Sequence, residues 1–184
     1  MGISVIEKKA VFIDRDGVIN LPNIINGKSY PPSDVSELEI YPDVLVSSTK
    51  LKSLGYLLIV VTNQPDVSRG KTSKKDVEEI NNAIFKLLPL DEIKTCYHDD
   101  EHSCNCRKPL PGMLNSAALH YGINLKKSFM IGDRWKDIDA GHNAGCKTIM
   151  VETNCVERDP NNAPDIIVKS FKEAADWIIY QTFN

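Results

Sequence analysis

Four short polar motifs in this sequence carry residue types that can do chemistry. Two carboxylates stand two residues apart at Asp14 and Asp16, and a hydroxyl follows an apolar run at Thr62. Lys108 belongs to a pair of cations, and Asp133 begins a second acidic motif. Each motif alone is typical of a polar turn, a strand end, a solvated cation pair or a helix cap. Together they supply a nucleophile, a proton donor, ligands for a divalent cation and donors for phosphate oxygens, which are the requirements of phosphoryl transfer.

A second cluster is typical of a metal site. Three cysteines and one histidine follow the pattern Cys-x-His and then Cys-x-Cys, and they are Cys96, His98, Cys104 and Cys106. This ligand set is common in closed tetrahedral zinc sites, which favours a structural zinc over three unrelated thiols. His102 is the competing histidine, but it lies in the middle of the connecting loop. Because the zinc loop 96–108 ends on Lys108, zinc there would fix the cation that meets a phosphate.

Alternating apolar runs and helical patterns determine where these motifs lie. The apolar runs predict buried strands at 10–13, 56–61, 129–131 and 148–151. Capped helical patterns predict helices at 43–54, 73–88, 112–121, 137–144 and 171–180. This alternation predicts an α/β fold, with a mostly parallel sheet covered by helices on both faces. Asp14, Thr62 and Asp133 lie where three of the runs end, so we expect them at the carboxyl edge of the sheet.

Composition limits the class of protein and its partners. The 184 residues are 42% hydrophobic and 26% charged, as in ordinary globular proteins, and we expect one domain over 1–184. The formal net charge of −3 provides no basic field for a nucleic acid. No apolar run reaches the roughly 18 residues of a membrane span, and residues 1–9 lack a signal-peptide pattern. We expect a cytoplasmic monomer that binds neither nucleic acid nor membrane, and we assign no role to Cys146 or Cys155.

The polar motifs resemble, in order and over most of the chain, those of the haloacid dehalogenase (HAD) superfamily of phosphatases. The matching motifs are Asp14-x-Asp16, Thr62, Lys108 and Gly132-Asp133-x-x-x-Asp137. The resemblance implies a Rossmann-like fold. We expect a minimal cap, because the two Pro- and Gly-rich insertions, 21–42 and 96–111, are both too short to be a domain. The resemblance also implies that Asp14 attacks phosphorus to form an aspartyl-phosphate. Asp16 would protonate the leaving oxygen and then take a proton from the hydrolytic water.

The same resemblance implies the ligands of a catalytic magnesium ion and the residues around the phosphate. Mg²⁺ would be held by Asp14, Asp133 and the backbone carbonyl of Asp16, while Asp137 would order the ligand shell. Lys108 would neutralise charge between the nucleophile and the phosphate. The residues implied to be catalytic are Asp14, Asp16, Thr62 and Lys108. The candidate substrate-binding residues are Asn63, Arg107, Lys108 and Arg134.

The zinc loop relates the sequence to two groups of small enzymes within the superfamily. Cys-x-His, Cys-x-Cys-Arg-Lys-Pro and Thr62-Asn63-Gln64 resemble the D-glycero-D-manno-heptose 1,7-bisphosphate phosphatases and the histidinol-phosphate phosphatases. Arg69-Gly70-Lys71 and Pro111-Gly112-Met113 resemble the heptose group, whereas the short spacing from His98 to Cys104 resembles the histidinol group. We expect a phosphorylated-sugar substrate, specifically the 7-phosphate of a heptose 1,7-bisphosphate. Histidinol-phosphate hydrolysis and a noncatalytic zinc-stabilised binding module are the alternatives.

Overall fold

The structure is a computed structural model that describes residues 7–25, 28–153 and 158–184, so Cys155 lies outside the described residues. The strands are β1 (Lys9–Ile13), β2 (Asn23–Ile25), β3 (Lys28–Tyr30), β4 (Tyr56–Asn63), β5 (Glu92–Cys96), β6 (Phe129–Gly132), β7 (Lys147–Val151) and β8 (Ile166–Val168). The α-helices are α1 (Val44–Ser53), α2 (Lys74–Leu87), α3 (Gly112–Tyr121), α4 (Trp135–Ala144) and α5 (Phe171–Phe183).

Six of the strands form one parallel sheet in the order β5-β4-β1-β6-β7-β8. β1 is central, because Phe12 pairs with Ile59 of β4 on one side and with Met130 of β6 on the other. The apolar residues of β1 are fully buried, as expected of a strand that is covered on both faces. The predicted α/β fold with a mostly parallel sheet is confirmed.

Helices cover the two faces of this sheet with separate apolar layers. One layer contains side chains of α1, α2 and α5, including Leu51, Ile80 and Ile178. The opposite layer contains Met113 and Leu114 of α3, and α4 packs against β6 and β7. Burying a side chain of this size contributes about 1.5–3 kcal/mol relative to its exposed state, so the two layers hold the strands in fixed positions. The carboxyl ends of the strands are therefore a rigid base for a site.

The predicted strands and helices are present, with bounds that differ by at most three residues. Gly122 and Gly145 end α3 and α4 with left-handed φ angles of 69° and 86°, as their sequence positions predicted. The pattern missed the edge strands β5 and β8 and the antiparallel pair β2–β3. Three of the five residues of β5 are polar and the strand is mostly half-buried, so it lacks the continuous apolar run of the central strands. No helix among the described residues is long and apolar enough to cross a membrane.

Candidate active site

Three neighbouring strands deliver polar residues to one edge of the sheet. Asp14 follows β1, Thr62 lies near the end of β4 and Asp133 follows β6. The backbone amide of Asp14 donates to the carbonyl oxygen of Ile131 at 2.9 Å, which ties Asp14 to β6. All three polar side chains are buried. The strand order β4-β1-β6 therefore places them next to one another.

Lys108 joins two carboxylates and a strand at the centre of this edge. Its Nζ donates to Asp14 Oδ1 at 2.6 Å and to the carbonyl oxygen of Val61 at 2.7 Å. The same Nζ lies 2.6 Å from Asp137 Oδ1. Burial disfavours the charged lysine, but the charges of Asp137 and Asp14 outweigh it and hold the pKa of Lys108 above its usual value. Lys108 is therefore a buried ammonium that contacts the candidate nucleophile.

Three buried carboxylates crowd around this lysine. Oxygens of Asp14, Asp133 and Asp137 all lie within 4.8 Å of one another. Asp133 Oδ1 is buried and accepts no hydrogen bond from the described residues. Burial, together with the other two carboxylates, raises the pKa of Asp133 well above its usual value, and burial with the charge of Asp137 raises that of Asp14 to about 6. Lys108 and Arg134, whose Nε lies 4.0 Å from Asp133 Oδ1, face three carboxylates. A buried oxygen that accepts no hydrogen bond, set among hard oxygen ligands, fits a divalent cation such as Mg²⁺.

Asp137 differs from the other two carboxylates because both of its oxygens have partners. Oδ1 contacts Lys108, and Oδ2 accepts a hydrogen bond of 3.1 Å from the backbone amide of Arg134, at the start of α4. Its side chain also packs where a Cβ on Gly132 would stand, so only glycine fits there. These contacts support the expectation that Asp137 orders the site and leaves metal binding to Asp14 and Asp133.

Both oxygens of the Asp16 carboxylate accept hydrogen bonds from neighbouring side chains. Arg15 reaches it through Nε at 3.1 Å and Nη2 at 3.0 Å, Asn20 Nδ2 donates at 3.1 Å and Gln64 Nε2 at 2.7 Å. Burial raises the pKa of Asp16, but the charge of Arg15 and these hydrogen bonds lower it below its usual value. Asp16 is therefore ionised in this arrangement.

Thr62 and Asn63, both on β4, have different partners. Thr62 Oγ1 accepts a hydrogen bond of 2.9 Å from Gln64 Nε2, and Thr62 lines the pocket that holds Asp14. Asn63, predicted to bind substrate, also lines the pocket but uses both polar side-chain atoms on the backbone of Lys108. Its Nδ2 donates to the Lys108 carbonyl at 3.0 Å, and its Oδ1 accepts from the Lys108 amide at 3.1 Å. In this arrangement Asn63 fixes the peptide that carries the lysine.

The pocket above these residues has a volume of about 300 Å³ and a strongly cationic wall. Its lining cations are Arg69, Lys71, Arg107, Lys108, Arg134 and Lys136. Ser29 and Tyr30 of β3 form another part of the wall. No substrate contact was predicted for that segment. Four carboxylates line the same space, namely Asp14, Asp16, Asp66 and Asp137, so the cations remain in excess. The pocket can therefore accept an anion that has more than one negatively charged group.

The four predicted zinc ligands meet at one point next to this pocket. Sγ of Cys96 lies 3.1 Å from that of Cys106 and 4.0 Å from that of Cys104. His98 Nδ1 lies 3.6 Å from the Cys96 sulfur and 3.3 Å from that of Cys106. Zn–S bonds near 2.3 Å in a tetrahedron imply sulfur–sulfur distances of roughly 3.8 Å. The Cys96–Cys104 distance is close to that value and the Cys96–Cys106 distance is shorter, so the donor set fits zinc, and a bound ion would move Cys96 and Cys106 slightly apart. His102 Nδ1 instead accepts a hydrogen bond from the local backbone.

Comparison with known proteins shows which family this arrangement represents. The family profile described as HAD-hydrolase-like matches residues 105–174. The D-glycero-beta-D-manno-heptose-1,7-bisphosphate 7-phosphatase of Helicobacter pylori strain J99 is 36% identical over 176 residues, covering 92% of this chain and 97% of the relative. The protein of the same name from Escherichia coli K12 is 31% identical, covering 89% and 90% of the two chains. This chain belongs to the HAD superfamily of phosphatases.

The fold of this HAD phosphatase is also shared with solved structures. The D,D-heptose 1,7-bisphosphate phosphatase from B. bronchiseptica, crystallised with magnesium and phosphate, superposes with a TM-score of 0.79. The two chains are 24% identical, and the match covers 94% of this chain and 99% of the other. The superposition confirms the Rossmann-like HAD fold that the motifs implied.

The residues that hold Asp16 in this HAD phosphatase were not among the predicted site residues. Arg15 lies between the two motif carboxylates and is fully buried, with Nη1 donating to Asn81 Oδ1 on α2 at 2.9 Å. A charged residue in a polar turn is usually solvated, so nothing local predicted its burial. Gln64 could have been found, because it directly follows two predicted site residues on the same strand end. Asn20 has no comparable signal, since its partner Asp16 is brought close by the turn.

Gly17 allows the turn after β1 to pass close to Asp133. Its φ of +93° lies in the left-handed region, and a Cβ there would overlap the Asp133 carboxylate. We expect Gly17→Ala to displace Asp133 and to lower phosphatase activity by more than about tenfold. The strained φ should also reduce the free energy of unfolding by about 1 kcal/mol.

Gly55→Ala is the matched control for this prediction. Gly55 has a φ of +80°, but among the described residues no atom lies within 4 Å of the position of an added Cβ. The control should therefore lose similar stability in a urea titration while keeping its kcat/KM for an aryl phosphate. Equal activity in the two variants would show that Asp133 does not depend on this close approach.

Proposed function

We propose that this HAD phosphatase removes the 7-phosphate of D-glycero-D-manno-heptose 1,7-bisphosphate through an aspartyl-phosphate on Asp14. The observation that carries the proposal is the buried Asp14, paired with Lys108, in a pocket lined by five further cations. One cation serves the reacting phosphate, and the others form a surface for a second anionic group. The names of the relatives support a heptose bisphosphate as the substrate. The net charge of −3 supports a small-molecule substrate over a nucleic acid, and a cytoplasmic monomer stays part of the proposal.

Asp14 is the proposed nucleophile. Lys108 holds its carboxylate in place and offsets the negative charge that an incoming phosphate would meet. Attack of a carboxylate oxygen on phosphorus forms the aspartyl-phosphate bond and breaks the bond from phosphorus to the sugar oxygen. Thr62 lines the same space and would donate its hydroxyl hydrogen to a phosphate oxygen. The departing sugar oxygen then needs a proton.

Asp16 is the proposed proton donor. Its carboxylate is ionised while Arg15, Asn20 and Gln64 surround it. A bound phosphate adds negative charge nearby, which raises the pKa of a carboxyl group and lets Asp16 take up the proton that it later gives to the sugar oxygen. Once ionised again, Asp16 removes a proton from the water that hydrolyses the aspartyl-phosphate.

Two metal ions belong to the proposal. Asp14, Asp133 and the backbone carbonyl of Asp16 would hold Mg²⁺, and the buried Asp133 Oδ1, which accepts no hydrogen bond from the described residues, supports a cation there. When bound, Mg²⁺ offsets the charge of the crowded carboxylates and polarises a phosphate oxygen. The proposed zinc ligands are Cys96, His98, Cys104 and Cys106. Arg107 and Arg134, which both line the pocket, are the proposed contacts to the rest of the substrate.

A substrate comparison on one preparation tests the proposed function. We would measure phosphate release from D-glycero-D-manno-heptose 1,7-bisphosphate, histidinol phosphate and p-nitrophenyl phosphate in the presence of Mg²⁺. The expected result is the highest kcat/KM for the heptose bisphosphate, with the 1-phosphate left on the product. Faster turnover of histidinol phosphate would replace the heptose proposal with that alternative. No turnover of any of the three would favour a noncatalytic zinc-stabilised binding module.

A further inference from the structure

Two acidic residues of the zinc loop contact three of the cations that line the pocket. The acidic pair is Asp99 and Asp100, and the bridged cations are Arg69, Arg107 and Lys136. The bridged cations come from three separate segments, namely the turn after β4, the zinc loop and the first turn of α4. The acidic pair therefore connects three walls of one pocket.

The contacts of the acidic pair are short and directional. Arg69 donates from Nε to Asp99 Oδ2 at 2.6 Å and from Nη2 to Oδ1 at 2.5 Å, which is the bidentate geometry of strong guanidinium–carboxylate pairs. Arg107 Nε donates to Asp100 Oδ1 at 2.7 Å, and Lys136 Nζ lies 3.7 Å from the same oxygen. Arg107 is held further by a bond of 3.1 Å from Nη1 to the carbonyl oxygen of His98.

Folding stability is a weak reason for the contacts of Asp100. Its side chain is 65% exposed, and ion pairs this open to water contribute little to stability. The bidentate pair of Asp99 and Arg69 is less open, with side chains 21% and 37% exposed, so it also holds the turn after β4 against the zinc loop. Neither member of the acidic pair lines the pocket, whereas all three bridged cations do. Any effect of the acidic pair on a bound anion therefore passes through the bridged cations.

Holding the bridged cations in place before an anion binds reduces the side-chain conformational entropy that is lost on binding. Free arginine and lysine side chains lose rotamer freedom when they clamp an anion, and that loss weakens binding. The acidic pair restricts these side chains before the anion arrives. Asp66, which also lines the pocket, contacts Arg69 and Lys71. Five cations apart from Lys108 line the pocket, against Asp66 and the acidic pair, so this wall stays attractive to an anion.

We propose that the acidic pair positions the bridged cations to bind the second phosphate of a sugar bisphosphate. This inference rests on the proposed function, because it assigns the excess of cations to the phosphate that does not react. Asp99 and Asp100 are positioning residues, since they act through the bridged cations. They also connect the zinc loop to the proposed binding site of the second phosphate, because both lie between the proposed zinc ligands His98 and Cys104.

Steady-state kinetics on two matched substrates test this inference. Heptose 7-phosphate and heptose 1,7-bisphosphate share the reacting phosphate, and only the second carries the distal one. Asp99→Asn and Asp100→Asn should each raise KM for the bisphosphate by about five- to tenfold, with kcat changed less than about twofold. KM for heptose 7-phosphate should stay within about twofold of wild type, and Asp100→Glu should restore most of the affinity for the bisphosphate.

Glu101→Gln is the charge-matched control. Glu101 is exposed in the same loop, and its carboxylate makes no hydrogen bond or ion pair with the described residues, so both substrates should behave as in wild type. Zinc content should be unchanged in all variants.

A lower KM for the bisphosphate in Asp100→Asn would overturn the inference and show that the acid competes with substrate. Equal losses on both substrates, unchanged kinetics, or loss of zinc would also overturn it. A wild-type enzyme that turns over both substrates equally would refute the distal subsite itself, whereas one that hydrolyses neither would refute the proposed function.

Discussion

Asp14→Asn should fold normally and lose phosphatase activity by more than about 10⁴-fold, because an amide is neither a competent nucleophile nor an anionic ligand for Mg²⁺. Its stability should be retained for an electrostatic reason. Burial and the charge of Asp137 raise the pKa of Asp14 to about 6, so near neutral pH the folded protein carries an unfavourable negative charge there. Asparagine has the same shape without that charge. Lys108 keeps its contacts with Asp137 and the Val61 carbonyl.

Asp137→Asn separates loss of the nucleophile from loosening of the lysine. Asp137 contacts the same Nζ as Asp14 at the same distance of 2.6 Å, but it is not expected to attack phosphorus. We expect this variant to lose about 10- to 100-fold in kcat, which is far less than Asp14→Asn. Asp14→Ala, which cannot revert by deamidation, should be as inactive as Asp14→Asn. Substantial turnover of a sugar phosphate by Asp14→Ala would contradict the covalent mechanism.

A nucleophilic Asp14 has a further consequence for how products form. If every substrate passes through the same aspartyl-phosphate, water and added methanol compete for one common intermediate. The ratio of methyl phosphate to inorganic phosphate should then be the same for p-nitrophenyl phosphate and for the heptose bisphosphate. A ratio that changes with the leaving group would indicate direct attack of water on the substrate.

The site residues that follow strands were predictable because the central strands are easily identified in the sequence. The segments around Asp14, Thr62 and Asp133 are continuous apolar runs, and parallel strands place their carboxyl ends at one edge. The position of Lys108 did not follow from periodicity, since it reaches Asp14 from 94 residues away on an irregular loop. Only the family motif and the adjacent metal ligands pointed to it. Such long-range contacts depend on loop conformation, which local residue patterns do not specify.

The residues that hold the motif side chains in place were not predictable, for a different reason. Asn63 carries an ordinary polar side chain at a strand end, and its role depends on the Lys108 peptide lying opposite it. Arg15 is a charged residue whose burial depends on Asn81 of α2 and on the Asp16 carboxylate. Each role depends on contact with residues that are distant along the chain, and a single sequence does not show which distant residues meet.

Loss of zinc should lower activity without abolishing it. Cys106→Ser should lose the metal and loosen the zinc loop, because structural zinc supplies apparent binding energies on the order of 10 kcal/mol that become local folding energy. The Lys108 backbone would still be held by its two hydrogen bonds with the Asn63 side chain, and Nζ by Asp14 and Asp137. We therefore expect kcat to fall by about 10- to 100-fold, while the carboxylates that bind Mg²⁺ stay in place.

Two neighbouring histidines provide the matched comparison for this prediction. His98 and His102 have ring centroids 5.8 Å apart, yet only His98 directs a nitrogen to the sulfurs. His98→Ala should lose zinc and behave like Cys106→Ser, whereas His102→Ala should keep about one zinc per chain and most of the activity. Elemental analysis of each purified variant is the deciding measurement. A zinc-free and fully active wild type would contradict the site, because a loop this polar, holding Lys108 next to Asp14, would then have to order itself without the metal.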